Sequence, residues 1–338
     1  MIATAFSYET IRLAIVIGVV LSMLYYERFQ QTAGGAIVPG YLALGISSPL
    51  AVVTTLVAGY LAYLAVSVAA AKKWILYGRR KFEFEILAGL AVIGVASIVA
   101  TVAGQWDPTY LALGGIGFLV PGILAHDIGR QGVGRTFAAL AVLTVLIVVV
   151  LVVFSSFVTI APGAQSPPLL HIASITAFPR EMLIVAVALS VLIGMLIYSR
   201  FGLRSGGFIT GAYVALISPR WADLAFTLAV AAITYLIVVR VLMPRLLIFG
   251  RRKLATMLLV GAVVGWTVEI GLSALTGGDY IPWRGMTVAT LMVPALLAND
   301  AQRQGWERTI WGVALTSIGT LAATKLIASV AIAAGVIG

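Results

Sequence analysis

Three groups of side chains in this sequence could do chemistry, and two of them occur twice. Gly78-Arg79-Arg80-Lys81 returns as Gly250-Arg251-Arg252-Lys253, 172 residues later. Guanidinium binds carboxylate bidentately and ammonium binds it as a point charge, so each cluster suits an anionic polymer or an acidic protein surface. The same charge is also what anchors a cytoplasmic loop beside a membrane. The second group is Asp127, Arg130, Gln131 and Gly132, repeated as Asp300, Arg303, Gln304 and Gly305. Asp and Arg three apart share a helix face and can pair, either as an internal bridge or at the mouth of a path. The third group is not repeated. Glu269 and Lys325 interrupt apolar stretches where the other half carries Ser97 and Val152. Both lie about 24 Å beyond the start of their helices, so an intramembrane ion pair between them is expected.

Composition excludes most other chemistry. Hydrophobic residues are 61% of the chain and charged residues 10%, with a net charge of +10. A soluble domain carries about 25% charged residues, and a soluble fold of this length could not bury every helix on all sides. The chain has no cysteine, which removes disulfides, thiolate metal sites and cysteine nucleophiles. His126 and His171 form no zinc spacing. No phosphate-binding glycine loop and no nucleophile–base set is present. No catalytic residue, metal or cofactor is therefore assigned, and energy for any directed process is expected from a partner or an ion gradient.

These side chains must be positioned by membrane helices. Each half reads as six apolar segments: 10–26, 34–46, 50–71, 84–103, 109–125 and 136–160, then 182–199, 206–217, 222–243, 254–276, 285–298 and 309–336. The expected fold is an all-α polytopic membrane protein of two homologous repeats in parallel orientation, 1–160 and 181–338. They are joined by a Pro-rich linker at 161–180. The first apolar stretch has no basic region before it and reads as a retained helix. Glu9 and Glu181 each open the first helix of a half, where an acid complements the helix dipole. Placing the basic loops in the cytoplasm of a bacterial inner membrane requires the short segments 34–46 and 206–217 to cross.

Those short segments are too short for regular crossings. Thirteen helical residues span about 20 Å against a hydrocarbon core of about 30 Å. Interrupted backbone must be buried in protein, which is where transporters place substrate paths. Pro39, Gly40, Pro121, Gly122, Gly211 and Pro294 mark the expected breaks.

Several strings resemble the CapC/PgsC family, the small membrane subunit of bacterial poly-γ-glutamate capsule synthesis. They are Val38-Pro39-Gly40-Tyr41-Leu42, Ile75-Leu76-Tyr77-Gly78-Arg79-Arg80-Lys81-Phe82, Gly115-Ile116-Gly117-Phe118-Leu119-Val120-Pro121-Gly122-Ile123 and Gln131-Gly132. A family member is about half this length, so the chain looks like a tandem fusion. The second half departs at Thr210 and at Pro294-Ala295.

The resemblance implies a non-catalytic subunit that works with an ATP-dependent amide ligase of the Mur-ligase type, where ATP and magnesium would sit. It also implies a capsule-export or anchoring subunit and an anionic polymer as partners. Lipid surrounds the chain, self-association stays open, and no nucleic-acid partner is expected. The partner- or polymer-binding residues would be Arg79, Arg80, Lys81, Arg251, Arg252, Lys253, Asp127, Arg130, Gln131, Asp300, Arg303 and Gln304. A competing reading is an autonomous secondary transporter of a small anion, for which Glu269 and Lys325 would be the ionisable site.

Overall fold

The computed structural model describes residues 8–72, 75–158, 176–277, 280, 282–283 and 287–333, and most of the expected linker lies outside them. The chain divides into two compact units, Met1–Ser166 and Pro167–Gly338. The first holds α1 (Tyr8–Phe29), α2 (Val38–Leu44), α3 (Pro49–Tyr63), α4 (Gly78–Ala103), α5 (Val120–Gln131) and α6 (Val133–Val158). The second holds α7 (Leu183–Phe201), α8 (Thr210–Ile217), α9 (Trp221–Tyr235), α10 (Met243–Arg245), α11 (Gly250–Leu275), α12 (Thr287–Gln304) and α13 (Trp306–Ala333). Among the described residues there is no strand. Among the described residues eight helices are long and apolar enough to cross a bilayer: α1, α3, α4, α6, α7, α9 with its continuation, α11 and α13. The protein is a multi-pass, all-helical membrane protein.

In the first unit the two remaining segments return along long helices as half irregular chain, half helix, and in the second unit the first of them does the same. In the first unit α2 runs back along α1. A Cβ on Gly40 would lie 2.7 Å from Ala14 O, and one on Gly18 would lie 3.2 Å from Gly40 Cα. Leu44 packs with Ala14 and Ile147 beside Ile11. In the second unit Ser205 abuts Gly194 and Gly211 abuts Ser190. The Ala177 N–H then donates to Leu216 O at 3.0 Å. The stretch 202–217 therefore covers the whole length of α7, although α8 itself is only eight residues. Pro39, Gly40 and Gly211 are all buried within these stretches, which keeps their freed backbone groups away from lipid.

The second short segment differs between the units. In the first, Gly115 (φ +73°) and Gly117 (φ +66°) hold the chain in a left-handed turn before α5 begins. Pro121 sits in the first turn of α5, where its missing N–H costs nothing. In the second, Thr287, Val288 and Thr290 replace the three glycines 114, 115 and 117. The helix starts earlier there, and Pro294 lies inside a continuous 18-residue α12. The expected break at Pro294 is therefore absent, because the glycines break the first copy and not the proline.

Two features have no signal in hydropathy. α3 continues through a π-helical stretch, Leu64–Ala69, and α9 through another, Leu236–Leu242. They occupy equivalent places in the two copies, and π-bulges often mark functional positions.

Candidate functional site

The repeated Asp and Gln side chains hold backbone. Gln131 accepts from Thr32 N at 2.9 Å and from Thr32 Oγ1 at 3.2 Å. Its amide nitrogen donates to Thr32 O and, at 3.0 Å, to Thr136 Oγ1. Gln304 repeats the arrangement, accepting from Arg204 N at 2.9 Å and donating to Arg204 O at 3.0 Å and Thr309 Oγ1 at 3.1 Å. A primary amide is the side chain that can satisfy an N–H and a C=O of one residue together. Gln131 and Gln304 thus clamp the loops that lead into α2 and α8. Asp127, 2% exposed, accepts from Gly35 N at 2.8 Å. Gly35 needs its left-handed φ of +78° to present that N–H.

The Asp–Arg pairing three residues apart does not form in either copy. Arg130 and Arg303 are exposed while Asp127 and Asp300 are buried. Asp300 instead lies 3.9 Å from Arg204 Nη1. Sharing a helix face proved insufficient, because Asp127 turns inward to the glycine loop.

The basic clusters are only partly available. Arg79 Nε lies 2.6 Å from Glu83 Oε1, one turn along α4. Lys81 Nζ lies 3.7 Å from Glu85. Lys253 is 9% exposed and donates to Gln302 Oε1. Arg80 and Arg252 are exposed, and the side chain of Arg251 lies outside the described residues. The backbone entering the two clusters matches closely. Tyr77 and Phe249 are extended, at φ/ψ of −142°/160° and −128°/162°. Gly78 and Gly250 follow with φ of +57° and +58°. Ile75, Tyr77, Leu247 and Phe249 are all exposed beside them.

The expected Glu269–Lys325 ion pair does not form. Glu269 is 6% exposed, whereas Lys325 is on the exposed side of α13. Their helices lie on either side of a shared neighbour: α11 packs on α9 and α12, and α13 on α7, α8 and α12. Equal depth in the membrane did not make them adjacent.

Two polar clusters went unread in the sequence. Glu85, with a fully buried side chain, lies 2.7 Å from His126 Nδ1. The signal was an acid inside Phe84-Glu85-Ile86 whose counterpart is Met257. In the second unit Asp223, also fully buried, lies 2.8 Å from Arg220 Nη2 and accepts from the Tyr280 hydroxyl at 2.8 Å. Burial, and then that hydrogen bond to the carboxylate, push the Tyr280 phenol above its usual range. Asp223 replaces Ala51 in the repeat. Among the described residues no three acidic or histidine side chains come together as a metal cage.

A doubled membrane unit with these strings has known relatives. The family model for capsule biosynthesis CapC matches twice, over residues 17–137 and 189–310. The chain belongs to the CapC family. It carries the CapC unit twice, which accounts for the shared clamp, glycine loops and basic clusters. It is 34% identical over 132 residues to the PGA biosynthesis protein CapC of Bacillus subtilis (strain 168), covering 39% of this chain and 86% of that protein. It is also 34% identical over 131 residues to the capsule biosynthesis protein CapC of Bacillus anthracis, with the same coverage. No solved structure matches.

Proposed function

We propose that this chain is the integral membrane subunit of a poly-γ-glutamate or related polyamide synthase. It docks an ATP-dependent amide ligase of the Mur-ligase type through its two basic loops. The names of the two Bacillus relatives support the polymer class. One observation carries the docking role. Arg80 and Arg252 both follow an exposed aromatic in extended backbone and a left-handed glycine. A topology anchor needs positive charge near the membrane and no particular backbone. Two copies of one loop conformation suit a partner with a fixed acidic surface.

In this reading the basic end of each unit faces the cytoplasm of a bacterial inner membrane. ATP and magnesium belong to the ligase, which activates a glutamate carboxylate there. In this reading the polymer leaves toward an export or anchoring subunit, and the close packing at Gly40, Gly122 and Gly211 holds the interrupted segments of each unit in place. The transporter alternative drew on the doubled unit with its interrupted short helices and needed Glu269 and Lys325 as an inward-facing ionisable site; Glu269 is buried and Lys325 is exposed. The test is the double reversal R80E/R252E in cells making the polymer. Ligase should stop co-purifying with the membrane subunit and polymer should be lost, with the subunit still inserted at its normal level. Normal ligase recovery and normal polymer would refute the docking role.

A further inference from the structure

The buried carboxylate of the first unit is the centre of a polar cluster that the docking role does not use. Glu85 Oε2 lies 2.7 Å from His126 Nδ1. Its other oxygen is 3.7 Å from Lys81 Nζ and 3.5 Å from Ser67 Oγ. The Phe82 ring meets the imidazole edge-on at 4.8 Å. Three elements supply the cluster: α4, α5 and the π-helical end of α3. Their other charged side chains are Arg79 and Glu83, paired with each other, Asp127, which accepts from Gly35, and the exposed Arg80, Arg130 and Lys72. The His126 side chain is 26% exposed and that of Glu85 is 0%, so the imidazole connects a sealed carboxylate to the surroundings.

The second unit does not carry this cluster. Met257 stands for Glu85, Asn299 for His126 and Val239 for Ser67. Lys253 remains, and it turns to Gln302 instead. Asn299 Oδ1 is buried without a hydrogen-bond partner. The clamp and the glycine loop survive in both copies, so the fold does not need the dyad.

We propose that Glu85 and His126 form a proton-binding site, confined to the first unit, that sets how firmly the half-helix α5 is seated on α4. Ionisable groups inside membrane segments are rare and commonly serve proton transfer. The imidazole takes or gives the proton at Nδ1 or Nε2, and Glu85 Oε2 is the fixed partner. With the imidazole protonated, the bond joins two full charges, about twice as strong as a bond to a neutral group. Histidine is the side chain whose charge changes between about pH 5 and pH 8. α5 is therefore held tighter when the imidazole carries its extra proton than when it has given that proton up. This site is independent of the ligase-docking reading.

The test uses the full chain in lipid nanodiscs, with hydrogen exchange of α5 and α12 peptides compared from pH 5 to pH 8 after correction for intrinsic rates. α5 should exchange about three- to tenfold faster at the alkaline end, with α12 as the flat internal reference. The variant E85M/H126N carries the second unit's own residues and should abolish the step. In histidine-labelled protein, E85Q should change the pH response of the His126 ring signal and leave the His171 signal alone. A flat α5, an equal step in α12, or a His126 signal indifferent to E85Q would each overturn the proposal. The comparison of α5 with α12 needs no variant to fold.

Discussion

Gly122→Ala is the sharpest perturbation the structure offers, because the second unit already contains an alanine there. In the first unit α5 crosses α4 backbone to backbone. A Cβ on Gly122 would lie 2.6 Å from Ile86 Cα and 2.9 Å from Glu85 O. Neither is the end of a flexible side chain, so the helices must separate by about 1 Å to restore contact near the 3.5–4.0 Å optimum. Overpacking of this kind costs about 1–3 kcal/mol. In the second unit Ala295 is accommodated against Gly261, whose own Cβ would lie 3.0 Å from Ala295 Cβ. Ala295→Gly should therefore cost about 1 kcal/mol or less, mainly from added glycine freedom within a helix. The assay is denaturant unfolding in mixed micelles, read by helical circular dichroism, with hydrogen exchange assigning the loss to α5 or α12. G122A should lower stability clearly more than A295G and raise exchange in α5, α4 and the Gly35 loop that Asp127 holds. Equal effects from the two substitutions, or an unperturbed α5, would refute the claim that this crossing has no slack.

Four further outcomes follow from other contacts. Gln131→Leu and Gln304→Leu each remove two backbone bonds to a clamped loop residue and should cost about 1–3 kcal/mol, read as local exchange at 30–37 and 202–209 respectively. Thr55→Val should free Ile116, whose N–H donates to Thr55 Oγ1 at 2.7 Å. Thr227→Val should free the Trp283 indole in the same way, shifting its fluorescence. Tyr280→Phe should destabilise the second unit by about 1–3 kcal/mol by leaving buried Asp223 short of a donor. Because the phenol's folded value is raised, that contribution is complete below about pH 10 and is lost as pH climbs through the raised value; spectrophotometric titration of wild type against Y280F reads it. Gly211 touches both Ser190 and Thr316 at 2.6 Å from its would-be Cβ, so S190G should partly rescue T316L, and additive losses in a double-mutant cycle would refute that shared contact.

What could be read from the sequence is what hydropathy and repetition encode. The membrane class, the doubling and the short interrupted segments near Pro39 and Gly211 follow from apolar lengths and from strings recurring at a fixed offset. Side-chain partners do not follow, because they depend on which helices are neighbours. Glu269 and Lys325 were expected at one depth, but one is buried in α11 and the other is exposed on α13. Asp127 and Arg130 share a helix but point to different surroundings. Glu85 and His126 are 41 residues apart and meet only because α5 returns along α4. Pro294 was misleading for a local reason. The glycines that break the first copy at 114, 115 and 117 are Thr287, Val288 and Thr290 in the second, so the helix begins before Pro294 and runs through it.

The two copies have diverged along a physical line. Contacts that fix backbone are kept in the Gln131 and Gln304 clamps and in the left-handed glycine pairs 34–35 and 206–207. Contacts that fill volume are exchanged. Leu143, Ile147 and Leu151 on α6 become Thr316, Thr320 and Thr324 on α13, while Gly18 on α1 becomes Ser190 on α7. A helix can bury threonine because the hydroxyl bonds the carbonyl four residues back, as Thr316 and Thr320 do at 2.7 Å. The loss of volume on one helix is met by a gain on the helix facing it. A mount made of hydrogen bonds to backbone leaves no such freedom, since removing one partner strands the other in a low-dielectric interior. One interior is hydroxyl-rich along α13, while the other carries the Glu85 carboxylate against the His126 imidazole. The copies thus differ in the side chains that meet the half-helices and in one stretch of backbone, the glycine turn before α5 that is helix in α12.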